Sequence, residues 1–196
     1  NDSTIKTYLD NWYKTNIEDK GLSSYISDTL FCNDRSLLHN TAQDYAGQEF
    51  SNLGYGTERT AYRWYGDPMA ASMGDEYANL LTYPNLQCPN QNDRFTVDDE
   101  VTGNGDLTYP IGLVNTDEVY LAGGYNTSNS GYYLYTGNSY WTMSPYYFDG
   151  SAAYVRRVNS DGSASSYGNF VYGSYGVRPT LNLIPDSLKV GSGTAD

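Results

Sequence analysis

One histidine, His39, and two cysteines, Cys32 and Cys88, are all that the chain offers as imidazole base, thiol nucleophile or imidazole or thiolate metal ligand. A histidine-based catalytic triad or metal centre therefore has at most one candidate, His39. His39, in SLLHNTAQD, reads as a solvent-facing or core-edge residue. No G-x-S-x-G, P-loop or H-E-x-x-H occurs. Acidic residues are plentiful at 23, and a glycosidase needs only two carboxylates. Between Tyr125 and Pro179, however, the only acids are Asp149 and Asp161, and Asp161 sits in an Asn-Ser-Asp-Gly turn that favours Asp for backbone reasons. The chemistry in which that stretch is rich is recognition. It holds half of the chain's 22 tyrosines among Ser, Gly and Asn, with no Lys or Glu before Pro179. Tyr supplies large, rigid, amphipathic contacts at low entropic cost, and the small polar residues supply adaptable hydrogen bonds.

The contact residues expected from this stretch fall in turns or alternate with apolar strand positions. They are Tyr140, Tyr146, Tyr147, Asp149, Tyr154, Arg156, Asn159, Tyr167, Asn169, Tyr172 and Tyr175. Tyr146 and Tyr147 on a loop with Arg156 nearby would form the aromatic-plus-arginine anchor common at interface hot spots. Trp141, Met143, Ala153, Val155, Val158, Val177, Leu181 and Leu183 are assigned to packing, and Arg178 to a buried or capping role.

The elements that must position these residues are legible in part. Ile5, Leu9, Trp12, Tyr13 and Ile17 share one face of a helix over residues 3–17, capped by Asp2 or Ser3. A short amphipathic turn follows at Leu22–Ile26, then a strand at Thr29–Cys32. Asn115 followed by Glu118 predicts a capping box opening a short helix stopped by Gly123-Gly124. Strands are expected at 108–114, 132–135, 140–143, 152–158, 170–172 and 177–183, with a hairpin turn at Asn159–Gly162. The fold class is α+β with a small antiparallel sheet: one domain over residues 1–185, a loop-rich insertion at about 33–107, and a linker or tail at 186–196. Within the insertion, Tyr77–Leu81 suggests a short ordered piece, and Tyr62, Trp64 and Tyr65 are expected to pin it to the body.

Cys32 and Cys88 are either two buried thiols or one disulfide formed in an oxidising compartment, and their turn-like, non-apolar surroundings favour the disulfide. The acidic run Asp98-Asp99-Glu100 with Asn104 and Asp106 departs from EF-hand spacing, and solvated acidic loops are far commoner than calcium sites. No metal and no cofactor are expected. A net charge of −12 offers no phosphate-neutralising patch for nucleic acid. No apolar run approaches the length of a membrane span, and the opening without Met reads as a fragment or a mature form.

The segments Tyr140-Trp141-Thr142-Met143-Ser144-Pro145, Val158-Asn159-Ser160-Asp161-Gly162 and Gly176-Val177-Arg178-Pro179-Thr180-Leu181-Asn182-Leu183, with the opening STIKTYLDNWYKT, LFCNDRS and CPNQNDRFTV, resemble modules of gut-type bacterial surface proteins, some in pilin-like chains. Such modules are similar to the C-type lectin fold in the variant shared with formylglycine-generating enzymes. In related proteins that fold carries the variable region of diversity-generating retroelements, whose product set of Asn, Tyr, Ser, Asp and Gly is similar to the composition of Tyr125–Tyr175. Two family activities do not carry over. The chain has no cysteine after Cys88 for formylglycine chemistry, and it has none of the E-P-N, Q-P-D or W-N-D tripeptides of calcium-dependent lectins. The resemblance implies a noncatalytic, extracellular or cell-surface binding module whose partner is a protein or glycan on another surface. The alternative it implies is a pilin-like or surface-layer subunit that self-assembles.

Overall fold

The computed structural model describes residues 2–36, 60–61, 84–125, 127–164 and 168–185. Helix α1 spans Thr4–Tyr13 and runs on into a π-helical turn, Lys14–Glu18. Ser3 starts it by accepting the Lys6 amide at 3.1 Å, which satisfies one of the donors a helix leaves open. Its apolar spacing works as predicted: Leu9, Tyr13 and Ile17 are buried on one face, with Ile5 and Trp12 packed beside them. A single turn, Ser23–Tyr25, follows.

Among the described residues two small sheets accompany the helices, and the architecture is α+β. Strand β1 (Phe31–Cys32) pairs antiparallel with β3 (Arg94–Phe95). The larger sheet comprises β2 (Thr60–Ala61), β4 (Tyr140–Phe148), β5 (Ala153–Val158) and β6 (Asn169–Phe170), in the order β2-β4-β5-β6 and antiparallel throughout. Helix α2 (Thr116–Leu121) carries the predicted capping box. Asn115 Oδ1 accepts the Glu118 amide at 2.8 Å, and the Glu118 carboxylate accepts the Asn115 amide at 2.7 Å.

The main sheet lies between α1 and α2, because alternate residues of a strand face opposite ways. Trp141, Met143 and Val155 join the cluster of α1 with Ile111 and Leu113. Tyr140 and Val158 join the cluster of α2, with Val119, Tyr120, Tyr132 and Leu134. Ser144 on β4 makes a polar link to α2, accepting the Thr116 amide on its Oγ at 2.8 Å, while the Thr142 hydroxyl donates across to β5, to the Arg156 carbonyl at 2.9 Å.

Several strand expectations are corrected. Strand β4 does not stop at Met143 but runs on through Pro145 to Phe148, so Tyr146 and Tyr147 lie in the strand and not in a turn. Proline lacks the ladder donor, and the pairing register shifts on both sides of Pro145 to accommodate it. Residues 108–114 and 177–183 meet at one bridge, Gly112–Thr180, and 177–183 meets Ile26 at Leu183. Residues 132–135 form a turn whose Tyr132 and Leu134 fill the α2 cluster. Leu183, assigned to packing, is exposed. The Asn159–Gly162 turn forms as predicted, with the Asn159 amide donating to the Ser163 carbonyl at 2.8 Å. Gly162 has φ +81°, and a Cβ there would lie 1.7 Å from the Asn129 carbonyl oxygen, so only glycine fits. No helix among the described residues is long and apolar enough to cross a membrane.

Candidate functional site

Antiparallel register sets Tyr147 opposite Tyr154, and Tyr154 opposite Phe170. Aromatic residues at such positions touch across the ladder, and here they continue from strand to strand. Ring centroids lie 6.0 Å apart for Tyr147 and Tyr154, and 4.3 Å apart for Tyr154 and Phe170. The chain then turns, with the Gly173 amide donating to the Phe170 carbonyl at 2.8 Å. That turn brings Tyr172 onto Phe170 at 4.8 Å with the planes only 13° apart. Tyr146 joins the inner end, 6.4 Å from Tyr154. The result is a rail of rings running from the interior to the surface. Tyr146 is 7% exposed and Tyr172 is 74% exposed, with Phe170 and Val171 open beside it.

Three expected contact residues are corrected by burial. Tyr146 is interior, and the Arg156 guanidinium, on a residue with 0% exposure, lies 3.9 Å over its ring. A desolvated cation on a ring face is a packing interaction here, so this pair cannot meet a partner. Tyr140 is 3% exposed, and its hydroxyl donates to the Leu134 carbonyl at 3.0 Å. Arg178, expected in a buried or capping role, is half-buried and donates to the same turn carbonyl at 2.6 Å. Burial pushes the Tyr140 hydroxyl pKa up, with Arg178 opposing.

Other expected contacts are engaged within the fold. Tyr175 stands edge-on to Trp141 at 4.8 Å, with the Arg157 guanidinium 4.3 Å over its face. Its hydroxyl donates to Asn169 Oδ1 at 3.0 Å. The Asn159 amide group donates to Ser163 Oγ at 2.9 Å inside the turn. Tyr167 lies outside the described residues, as do His39, Tyr62, Trp64, Tyr65 and Tyr77–Leu81. Tyr147 and Tyr154 are half-buried and Tyr172 is open, so these three remain as surface. Phe170 and Val171 join them and were not singled out from the sequence. The available signal was an F-V-Y run with no charge next to a Gly-Ser turn.

Asp149 closes the β4–β5 hairpin. Its carboxylate accepts the Ala152 amide at 2.7 Å, the Ser151 amide and hydroxyl at 2.8 Å each, and the Tyr154 hydroxyl at 3.0 Å. The Ala152 and Ser151 amides hold its pKa well below the usual carboxylate range. Burial, then the bond to Asp149, pushes the Tyr154 hydroxyl up to about 12. Asp161 is lowered likewise, by the Ser163 hydroxyl and amide and by Ser128. Both acids of the aromatic stretch are therefore held ionised by their own loops, which suits neither to donate a proton near neutral pH.

The base of the insertion is a second constructed region. Cys32 and Cys88 form a disulfide with Cα atoms 5.9 Å apart. Beside it, Asp93 is 1% exposed and accepts the Arg35 amide at 3.0 Å, the Arg35 guanidinium and the Asn90 side chain. The sequence carries a trace of this clamp, since Asn-Asp-Arg occurs both at 33–35 and at 92–94. In the acidic loop beyond, Gln91 donates to the carbonyls of Glu100 and Gly103, and Arg94 to those of Cys88, Pro89 and Thr102. Among the described residues no group of three or more His, Cys, Asp or Glu is placed to hold a metal ion.

The family model of a domain of unknown function, DUF6273, matches residues 112–185. That span begins just before α2 and ends after β6, so it contains the aromatic rail but neither α1 nor the insertion. No curated protein and no solved structure matches the chain.

Proposed function

We propose that the chain is a noncatalytic ligand-binding surface module on a C-type lectin-like scaffold, engaging a protein or glycan on another surface through the outer end of the aromatic rail. The observation that carries this reading is the Tyr154–Phe170–Tyr172 stack, which ends in a ring that is 74% exposed. Rings already stacked on a sheet lose little freedom on binding, so their buried area goes into affinity. Among the described residues, two helices flanking a small antiparallel sheet support the scaffold, and the Tyr, Ser, Asn and Gly content of the stretch supports retroelement diversification.

The test is binding of the purified chain to arrayed glycans and to arrayed cell-surface proteins. Tyr172→Ala and Phe170→Ala should each weaken any captured ligand by about tenfold or more, with the melting temperature of Tyr172→Ala unchanged. Ligands retained by both variants, or glycan hydrolysis lost on changing one carboxylate, would sink the proposal. Nucleotide reads across related strains test the diversification part: substitutions should cluster in adenine-containing codons of the stretch.

The same feature favours one second reading. Strand β6 is the outer strand of the sheet and carries apolar rings at its tip, and such edges promote pairing between chains. Concentration-dependent self-association abolished by Tyr172→Lys would favour a pilin-like subunit over a receptor for foreign ligands.

A further inference from the structure

The outer rings of the rail have a charge preference. Tyr154 and Val155 point to opposite sides of the sheet, so the rail lies across it from α1, which packs on the Val155 side. At the rail's edge stands the half-buried Asp149 carboxylate. Its Oδ1 accepts three donors of its own hairpin, the Ser151 amide and hydroxyl and the Ala152 amide. Its Oδ2 accepts only the Tyr154 hydroxyl among the described residues, and no cation there pairs with it. That bond also uses the one proton of the Tyr154 hydroxyl. Asp149 and Tyr154 have only lone pairs left to offer, so a partner must bring donors. The ring faces make the same demand, because an aromatic face attracts cations and stacks well under a planar guanidinium. The fold meets that demand from within for two tyrosines, with Arg156 3.9 Å over Tyr146 and Arg157 4.3 Å over Tyr175. Among the described residues no cation lies over Tyr154, Phe170 or Tyr172. One face of Tyr172 stacks on Phe170 and the other is open.

We infer that the partner of the rail is a basic protein segment bearing arginine, whose guanidinium lies flat on the open face of Tyr172 while Asp149 attracts its charge. This rests on the rail being the binding surface. The chain's net charge of −12 draws such a segment in. A neutral glycan would stack on the same rings but would leave the charge of Asp149 uncompensated. An acidic glycan or segment would be repelled by it.

The experiment is fluorescence anisotropy of the full chain at low salt and neutral pH against labelled Gly-Arg-Gly-Arg-Gly and its citrulline and lysine counterparts. A labelled neutral tetrasaccharide of N-acetylglucosamine runs in parallel. The arginine peptide should bind saturably, with citrulline weaker by about tenfold and lysine by about two- to fivefold. Tyr172→Leu keeps apolar area but has no ring face, and should weaken the arginine peptide by about two- to fivefold. Tyr172→Trp should bind it at least as tightly. Asp149→Asn should weaken it by about two- to fivefold and reduce its salt dependence. Asp19→Asn, an equal charge change beside the π-helical turn across the sheet, should not. Because Asp149 also ties its own hairpin, the Tyr172 variants decide the matter if Asp149→Asn does not fold. Absence of saturable arginine binding, equal affinity for arginine and either counterpart, or full affinity in Tyr172→Leu would each overturn the assignment. If citrulline or the tetrasaccharide binds as tightly and loses affinity in Tyr172→Ala, the rail stands as a binding surface and only its arginine preference fails. If arginine binding survives both Tyr172→Ala and Phe170→Ala, the rail reading fails with it.

Discussion

Tyr146 and Tyr172 are chemically identical and do opposite work. Tyr146 is held between the Arg156 guanidinium and Tyr154 in the interior, so its loss leaves a cavity and a buried cation without its ring face. Tyr146→Ala should cost about 3–5 kcal/mol, read as a lower denaturation midpoint. Tyr172→Ala, at the open end of the rail, should stay within about 0.5 kcal/mol. Equal effects of the two changes would show that the rail has no buried end. Asp149 allows a pH test at the same scale. Its folded pKa lies below the unfolded value near 3.9. Its contribution to stability is therefore complete above that value and is lost as pH falls through the folded one. In acid denaturation, Asp149→Asn should flatten the part of the stability curve below about pH 4, while neutral-pH stability falls because the loop amides lose their charged acceptor.

At the scale of elements, the hairpin-like parts answer to local chemistry, and for that reason they were legible. Asn115 with Glu118 builds its capping box, and Asn159–Gly162 builds its turn, from contacts within four residues. Gly162→Ala should cost more than about 1 kcal/mol in a chemical unfolding curve, since a residue with a Cβ is both strained at that φ and set against the Asn129 carbonyl. What was not legible depends on distant partners. Pro145 reads as a strand break, yet β4 continues through it because Val155 pairs at the irregularity and β2 returns from the insertion to pair with Tyr147 and Phe148. The burial of Tyr146 and Arg156 follows from that continuation, which is why an anchor expected on a loop turned out to be core. The disulfide was legible because the chain has only two cysteines to pair, whereas the Asp93–Arg35 clamp beside it was not, because 11 basic and 23 acidic residues leave its pairing open. Changing both cysteines to serine removes a cross-link between residues 56 apart and should cost about 4 kcal/mol in the chain-entropy model. Because Cys88 is buried, mild reductant acting on the folded chain should produce that loss only slowly.

At the scale of the molecule, the span 112–185 that the family model matches leaves one side of its sheet without cover. Trp141, Met143 and Val155 from that span pack on Leu9, Tyr13 and Ile17 of α1 and its π-helical continuation, which lie outside it. Each of those three side chains contributes about 1.5–3 kcal/mol by leaving water. Their sum, roughly 5–9 kcal/mol, is comparable to the whole stability of a typical domain, about 5–15 kcal/mol. Helix α1 is thus a structural half of the sandwich around the sheet. A chain lacking residues 2–21 should lose its cooperative thermal transition and bind a hydrophobic dye, and supplying a peptide of residues 2–21 should restore the transition in part. Cooperative unfolding of the shortened chain at an unchanged temperature would mean that the sheet face beneath α1 is stabilised in some other way.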